Sequence, residues 1–74
     1  MSKIDSFKKY YAQAVNATGD FDHNTPYQEL GGNSIGIFTL TETVKSDLSI
    51  SIDPALLLGK ESSFNQLVSK YFKD

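Results

Sequence analysis

The run Leu30-Gly31-Gly32-Asn33-Ser34-Ile35 decides how this chain is read. Two glycines lead into a polar residue, a serine and then an apolar periodic segment. Gly31 and Gly32 lack a Cβ, so the backbone can take positive φ there and approach another group closely. A helix is predicted to begin near Ser34. A serine in that place can cap free backbone N–H groups, and the helix end carries a partial positive charge. The same end suits a phosphate, because amides and dipole point the same way. Ser34 is therefore read as an exposed hydroxyl on a loop-to-helix junction, able to carry a phosphate-linked group.

Downstream, Ile37, Leu40, Val44 and Leu48 recur at i, i+3, i+7 and i+11, the buried stripe of an amphipathic helix. A second face carries Ser34, Ile35, Phe38, Thr41, Glu42 and Lys45, a quarter turn or more away at about 100° per residue. Ile35 and Phe38 on that face are apolar without an evident core partner. Gly36 lies inside the helix, where glycine costs about 1 kcal/mol relative to alanine. Close approach of another backbone is the one reason the sequence suggests for it.

Upstream, residues 18–33 form a loop near the upper length limit for a compact domain, so it needs anchors. Phe21, Tyr27 and Leu30 are the candidates. Thr25-Pro26-Tyr27-Gln28 reads as a short helical turn, with Thr25 as N-cap and Pro26 in the first position. Before the loop, Ser2 and Asp5 give a capping signal, and Ile4, Phe7, Tyr11, Ala14 and Val15 recur at helical spacing. A first helix is predicted from about Ile4 to Ala17, stopped by Thr18-Gly19-Asp20.

After the second helix, Ser49-Ile50-Ser51-Ile52 alternates like a strand but is too short and has no partner. It is expected to be an extended loop with Ile50 and Ile52 turned inward. Asp53-Pro54 opens a short helix over Ala55 to Leu58, and Gly59 ends it. Ser63 and Gln66 form a capping box. Phe64, Leu67, Val68, Tyr71 and Phe72 then give the cleanest amphipathic pattern in the chain, with Lys70 and Lys73 favourably placed at its end. Packing the apolar stripes together gives an all-α fold: a small four-helix bundle of three main helices, one short helix and a long first loop.

The 74 residues suffice for one domain, read as spanning 1–74. Nine acidic residues stand against seven lysines and no arginine, a net charge of −2. Nucleic-acid binding relies on clustered Lys and Arg, so no nucleic-acid partner is expected. With no cysteine there is neither a disulfide nor a thiolate, which suits a cytoplasmic setting. No segment is apolar for long enough to span a membrane, and the N-terminus lacks the apolar core of a signal peptide.

Catalysis finds no support in the residues. His23 is the only histidine, and without cysteine no zinc site can be built. A serine nucleophile would need His23 beside Ser34, yet there is no G-x-S-x-G elbow. His23 is read as a solvated loop residue. Asp20-x-Asp22-x-Asn24 begins like a calcium loop, but Thr25 stands where glycine is needed and Gly31 where glutamate is needed. Loop-ordering contacts are the better reading of those residues. Gly31-Gly32 lacks the Gly-Lys-Ser/Thr of a P-loop and the preceding strand of a dinucleotide fingerprint. The expectation is a non-enzyme with no catalytic residue and no metal of its own. The plain alternative for Ser34 is an ordinary N-cap in a helical interaction module. The glycine pair, the helix end and the Ile35–Phe38 patch favour the functional reading.

The segment Tyr27-Gln28-Glu29-Leu30-Gly31-Gly32-Asn33-Ser34-Ile35 resembles the phosphopantetheine attachment motif of carrier proteins. It is most similar to the peptidyl (thiolation) branch of nonribosomal peptide synthesis, which usually reads Phe-x-Glu-Leu-Gly-Gly-x-Ser-Leu with His, Asn or Asp before the serine. The order and spacing of the predicted elements match as well, so the resemblance covers essentially the whole chain. Asn33 replaces the Asp of fatty-acid acyl carriers, and the second helix has only Glu42 and Asp47, with Lys45 between them. Both points favour the peptidyl branch. Gly36 and Ile37 reverse the family's usual order of large and small, and Asp53-Pro54 replaces the common Pro-Leu.

The resemblance implies a 4'-phosphopantetheine arm, taken from coenzyme A and attached covalently to Ser34, with Gly32 and Asn33 beside it. A phosphopantetheinyl transferase would attach the arm, using Mg²⁺ that the transferase holds. The arm's thiol would bear an aminoacyl, peptidyl or acyl thioester. Because the chain has no cysteine, any thioester must sit on the cofactor. An adenylation enzyme would load the arm, and condensation, tailoring or thioesterase enzymes would take the cargo. Ile35 and Phe38, with Leu57 or Leu58 on the short helix, are the implied docking contacts of a monomeric carrier. For Leu57 and Leu58, docking and core readings stand level. The alternative within the family is an acyl carrier of a polyketide or fatty-acid pathway. A free-standing carrier and a domain excised from a synthetase would read the same.

Overall fold

The computed structural model describes residues 2–17 and 19–72. The element order is α1 (Lys3–Ala14), a first 3-10 turn (Tyr27–Leu30), α2 (Ser34–Leu48), a second 3-10 turn (Pro54–Leu58) and α3 (Phe64–Tyr71). No strand occurs among the described residues. The fold is all-α, as expected. The short fourth helix is a 3-10 turn of five residues: Asp53 caps it at the start and Gly59 ends it.

Each α-helix is started by a side-chain cap. Ser2 Oγ accepts from the Asp5 N–H, Asn33 Oδ1 from the Gly36 N–H, and Ser63 with Gln66 forms the full capping box. α1 stops at Ala14, short of the expected Ala17, because Asn16 takes a left-handed φ of 59°. The Asn16 N–H then donates to the Gln13 carbonyl at 3.2 Å, and the Ala17 N–H to the Ala12 carbonyl at 2.9 Å. This is a Schellman closure with asparagine where glycine is usual. Of the residues expected to stop α1, Thr18 lies outside the described residues. So does Lys73, expected at the end of α3.

The core joins Phe7, Tyr11, Ile37, Leu40, Val44, Leu48, Leu57 and Leu67 with Ile52 from the extended segment. The predicted α2 stripe is thus buried throughout, and Ile50 packs against it partly buried. α1 and α2 share the most extensive helix packing. Aromatic rings lock α1 to α3: Phe7 stacks on Phe64 at 5.4 Å, and Tyr11 meets Phe64 edge-on at 5.8 Å.

One fully buried polar residue, Ser62, ties the long loop to this core. Its hydroxyl accepts from the Tyr27 N–H and donates to the Gly59 carbonyl, both at 2.9 Å. Its carbonyl accepts from the Tyr11 hydroxyl at 2.6 Å. All of its polar groups that face the interior are therefore satisfied, as burial demands.

Candidate functional site

Tyr27 anchors the loop, and the junction is built on it. Its side chain is fully buried and meets the Tyr11 ring edge-on at 5.9 Å. The first 3-10 turn starts one residue later than the sequence suggests, with Pro26 rather than Thr25 in the cap position. Pro26 has no N–H to lose there and its carbonyl accepts from Glu29 and Leu30.

The glycine pair closes this turn. Gly31 takes φ 98°, a conformation open to glycine. The Gly31 N–H donates to the Gln28 carbonyl and the Gly32 N–H to the Tyr27 carbonyl, each at 3.1 Å. A Cβ on Gly32 would lie 2.3 Å from the Tyr27 ring. Gly32 thus serves the packing of Tyr27. Its N–H is taken by the turn and its bare face is turned to the tyrosine.

Asn33 follows with extended backbone, φ −127° and ψ 177°. Its Oδ1 accepts from the Gly36 N–H at 2.8 Å. Its carbonyl accepts from the Ile37 N–H and from the Tyr27 hydroxyl, both at 3.0 Å. Asn33 is therefore the N-cap of α2, the part the sequence suggested for Ser34. Ser34 is the first helical residue, and it is exposed. Two N–H groups of the first turn, those of Ser34 and Ile35, have no intrahelical acceptor. No acidic residue stands in that turn. A phosphodiester on the Ser34 oxygen would meet free amides and the positive end of the helix, with no carboxylate of that turn opposing it.

Gly36 explains itself in the same place. A Cβ there would lie 2.3 Å from the Tyr27 hydroxyl oxygen and 2.6 Å from the Ala14 carbonyl oxygen. α2 can approach the end of α1 this closely only without a side chain at position 36. The Tyr27 hydroxyl also reaches the Ala14 carbonyl at 3.4 Å, so one side chain joins α1, the loop and α2. Burial holds its pKa above the usual 10.0, and it stays a donor.

On the outer face, Ile35 is 78% exposed and Phe38 68%. Leu58, on the second 3-10 turn, is 58% exposed, and that turn packs against α2. Leu57 is fully buried, which corrects its place among the docking candidates: it is a core residue. In a five-residue 3-10 turn, neighbouring leucines point to different sides, and the sequence alone could not tell which faced in. His23 is half-buried between the Phe21 and Phe64 rings, each 4.9 Å away, rather than solvated. Its Nε2 lies 3.5 Å from Asp20 Oδ1. No group of three or more His, Cys, Asp or Glu able to hold a metal occurs among the described residues. Ser62 is what the sequence reading missed; a small polar residue beside a capping serine gives no signal of burial.

A family described as the phosphopantetheine attachment site matches residues 7–70. The chain belongs to that family. No curated protein and no solved structure matches it. Membership makes the chain a phosphopantetheine carrier, with 4'-phosphopantetheine as its covalent cofactor. Carrier domains of this family generally tether substrates rather than transform them, and they interact with a phosphopantetheinyl transferase and with partner enzymes. No described helix of this carrier is long and apolar enough to cross a membrane.

Proposed function

We propose that this carrier bears its arm on Ser34 and belongs to the peptidyl type, presenting aminoacyl or peptidyl thioesters to enzymes of nonribosomal peptide or related secondary-metabolite synthesis. The observation that carries the first part is the division of labour at the start of α2. Asn33 makes the capping hydrogen bond, which leaves the exposed Ser34 hydroxyl free for esterification.

The bound arm supplies a thiol, which the chain lacks, and holds cargo at high effective concentration near each partner. The chain's own part is to hold the serine oxygen outward and to offer the Ser34 and Ile35 amides to the phosphate. A phosphopantetheinyl transferase installs the arm; an adenylation enzyme loads it; condensation, tailoring or thioesterase enzymes unload it. Ile35, Phe38 and Leu58 form the surface these enzymes touch, a small contact suited to brief encounters. The carrier works as a cytoplasmic monomer and catalyses nothing itself.

The peptidyl assignment rests on charge as well as on Asn33. α2 has two carboxylates, and one of them, Asp47, accepts from the Tyr10 hydroxyl. Glu42 remains, with Lys45 one turn on, so α2 presents no acidic face to a basic partner. A loading screen tests the assignment. The holo-protein is incubated with ATP, amino acids and a panel of adenylation enzymes, and separately with acyl donors and acyl transferases. Aminoacyl mass gain with the first set is expected; loading only by the second set assigns the carrier to a polyketide or fatty-acid pathway.

A further inference from the structure

A groove of about 240 Å³ runs between α1 and α2 and opens beside Ser34. Asn33 and Ile35, the residues on either side of the serine, both line it. From Ile35 it follows the i, i+4, i+8 row of α2 through Thr39 to Thr43, about 12 Å at 1.5 Å per residue. Gln13 of α1 and Asn16 of the turn that closes it form the opposite wall, and Ala14 and Leu40 supply an apolar floor. Tyr10 lines the far end and is clasped to Asp47, the next residue in the same row of α2.

We infer that this groove is the resting seat of the chain's own phosphopantetheine arm, a reading that depends on the arm being carried by Ser34. Three observations point to that occupant. The groove wall holds carboxamides and hydroxyls but no charged side chain, which suits a neutral diamide chain with a hydroxyl and a pair of methyl groups. Those polar groups are free. Thr41 commits its hydroxyl to the Ile37 and Phe38 carbonyls, whereas Gln13, Asn16, Thr39 and Thr43 make no side-chain hydrogen bond to another described residue. The volume lies below the ~300 Å³ at which clefts begin to hold drug-sized ligands, so a slim chain fits and a bulky cargo does not.

The geometry has a consequence for traffic. Phe38 and Leu58 do not line the groove, so an arm seated there leaves most of the partner-facing surface uncovered. The tether keeps the arm's local concentration high, so a weak seat is enough to be populated and weak enough to be left.

Heteronuclear NMR of the apo- and holo-proteins, with intact mass read on the same samples, tests this. Seating predicts amide shift changes at Gln13, Asn16, Thr39 and Thr43, and cross-relaxation between the arm's methyl protons and the methyls of Thr39 and Thr43. Thr39→Trp, at an exposed helix position, should abolish that cross-relaxation and leave the mass gain unchanged. Shift changes confined to the turn around Ser34, or cross-relaxation to Phe38 and Leu58 instead, overturn the seat and leave the carrier reading standing. A chain that gains no arm mass at all removes the carrier reading and the seat with it.

Discussion

The Tyr27 hydroxyl donates to the Asn33 carbonyl at 3.0 Å, and that bond fixes where α2 begins. The same carbonyl accepts the first intrahelical bond, from Ile37, while the Asn33 side chain caps Gly36. A buried aromatic residue of the loop thus positions the residue that precedes the serine. Tyr27→Phe keeps the ring and loses the hydroxyl. It should cost about 0.5–1.5 kcal/mol in urea unfolding, the usual worth of a net hydrogen bond, with amide shift changes concentrated at Asn33 to Ile37.

Asn33 and Ser34 should separate cleanly. Asn33→Ala removes the cap and should cost about 1 kcal/mol. Ser34→Ala removes an exposed hydroxyl at the first helical position and should stay within about 0.5 kcal/mol of the parent. If Ser34 were the cap, the two outcomes would be exchanged, so paired denaturation curves decide between them.

Gly36→Ala sets two effects against each other. Alanine favours the helix by about 1 kcal/mol. The new Cβ would sit 2.3 Å from the Tyr27 hydroxyl and 2.6 Å from the Ala14 backbone, so either α1 or α2 must shift. Overpacking of this kind costs about 1–3 kcal/mol, and backbone cannot swing aside as a side chain can. The clash should win: a lower thermal midpoint in the variant checks it, and a raised midpoint would show that the helices separate at little cost.

Much of this arrangement was legible in the sequence, and the misses have physical causes. The α2 stripe, the Ser63–Gln66 box and the inward turn of Ile52 follow from periodicity and capping chemistry that act within one segment. The end of α1 did not, because Asn16 gives a weaker stop signal than Gly19 and the closure depends on bonds back to Ala12 and Gln13. The Gly-Gly-Asn-Ser run marks the junction but not which of its residues caps α2, which is Asn33 rather than Ser34. That Gly32 faces Tyr27 and that Gly36 faces Ala14 are relations between segments, and no local pattern encodes them.

Leu57 and Leu58 should behave as opposites. Leu57→Ala opens a cavity at a fully buried position and should cost about 2–5 kcal/mol. Leu58→Ala should leave stability within about 0.5 kcal/mol and instead slow processing of the holo-protein by its partner enzymes. Unfolding curves and loading rates on the same two variants check both halves.

Alkali should weaken the fold in a defined window. Burial raises the Tyr11 pKa strongly above its ordinary 10.0, and raises that of Tyr27 as well. The neutral phenol is therefore favoured in the folded chain, so this contribution is fully present below pH 10 and is lost as pH rises beyond it. Each tyrosine that ionises only on unfolding lowers stability by about 1.4 kcal/mol per pH unit in that range. Urea midpoints measured above pH 10 should fall in the parent and fall less steeply in Tyr11→Phe.

The central claim is that the arm sits on the Ser34 oxygen. Apo-protein incubated with coenzyme A, Mg²⁺ and a phosphopantetheinyl transferase of broad specificity, followed by intact mass and peptide mapping, tests it directly. One phosphopantetheine should be gained on the peptide containing Ser34, and Ser34→Ala should gain none while unfolding like the parent. A Ser34→Ala protein that still gains the mass, or a folded parent that gains none, would contradict it.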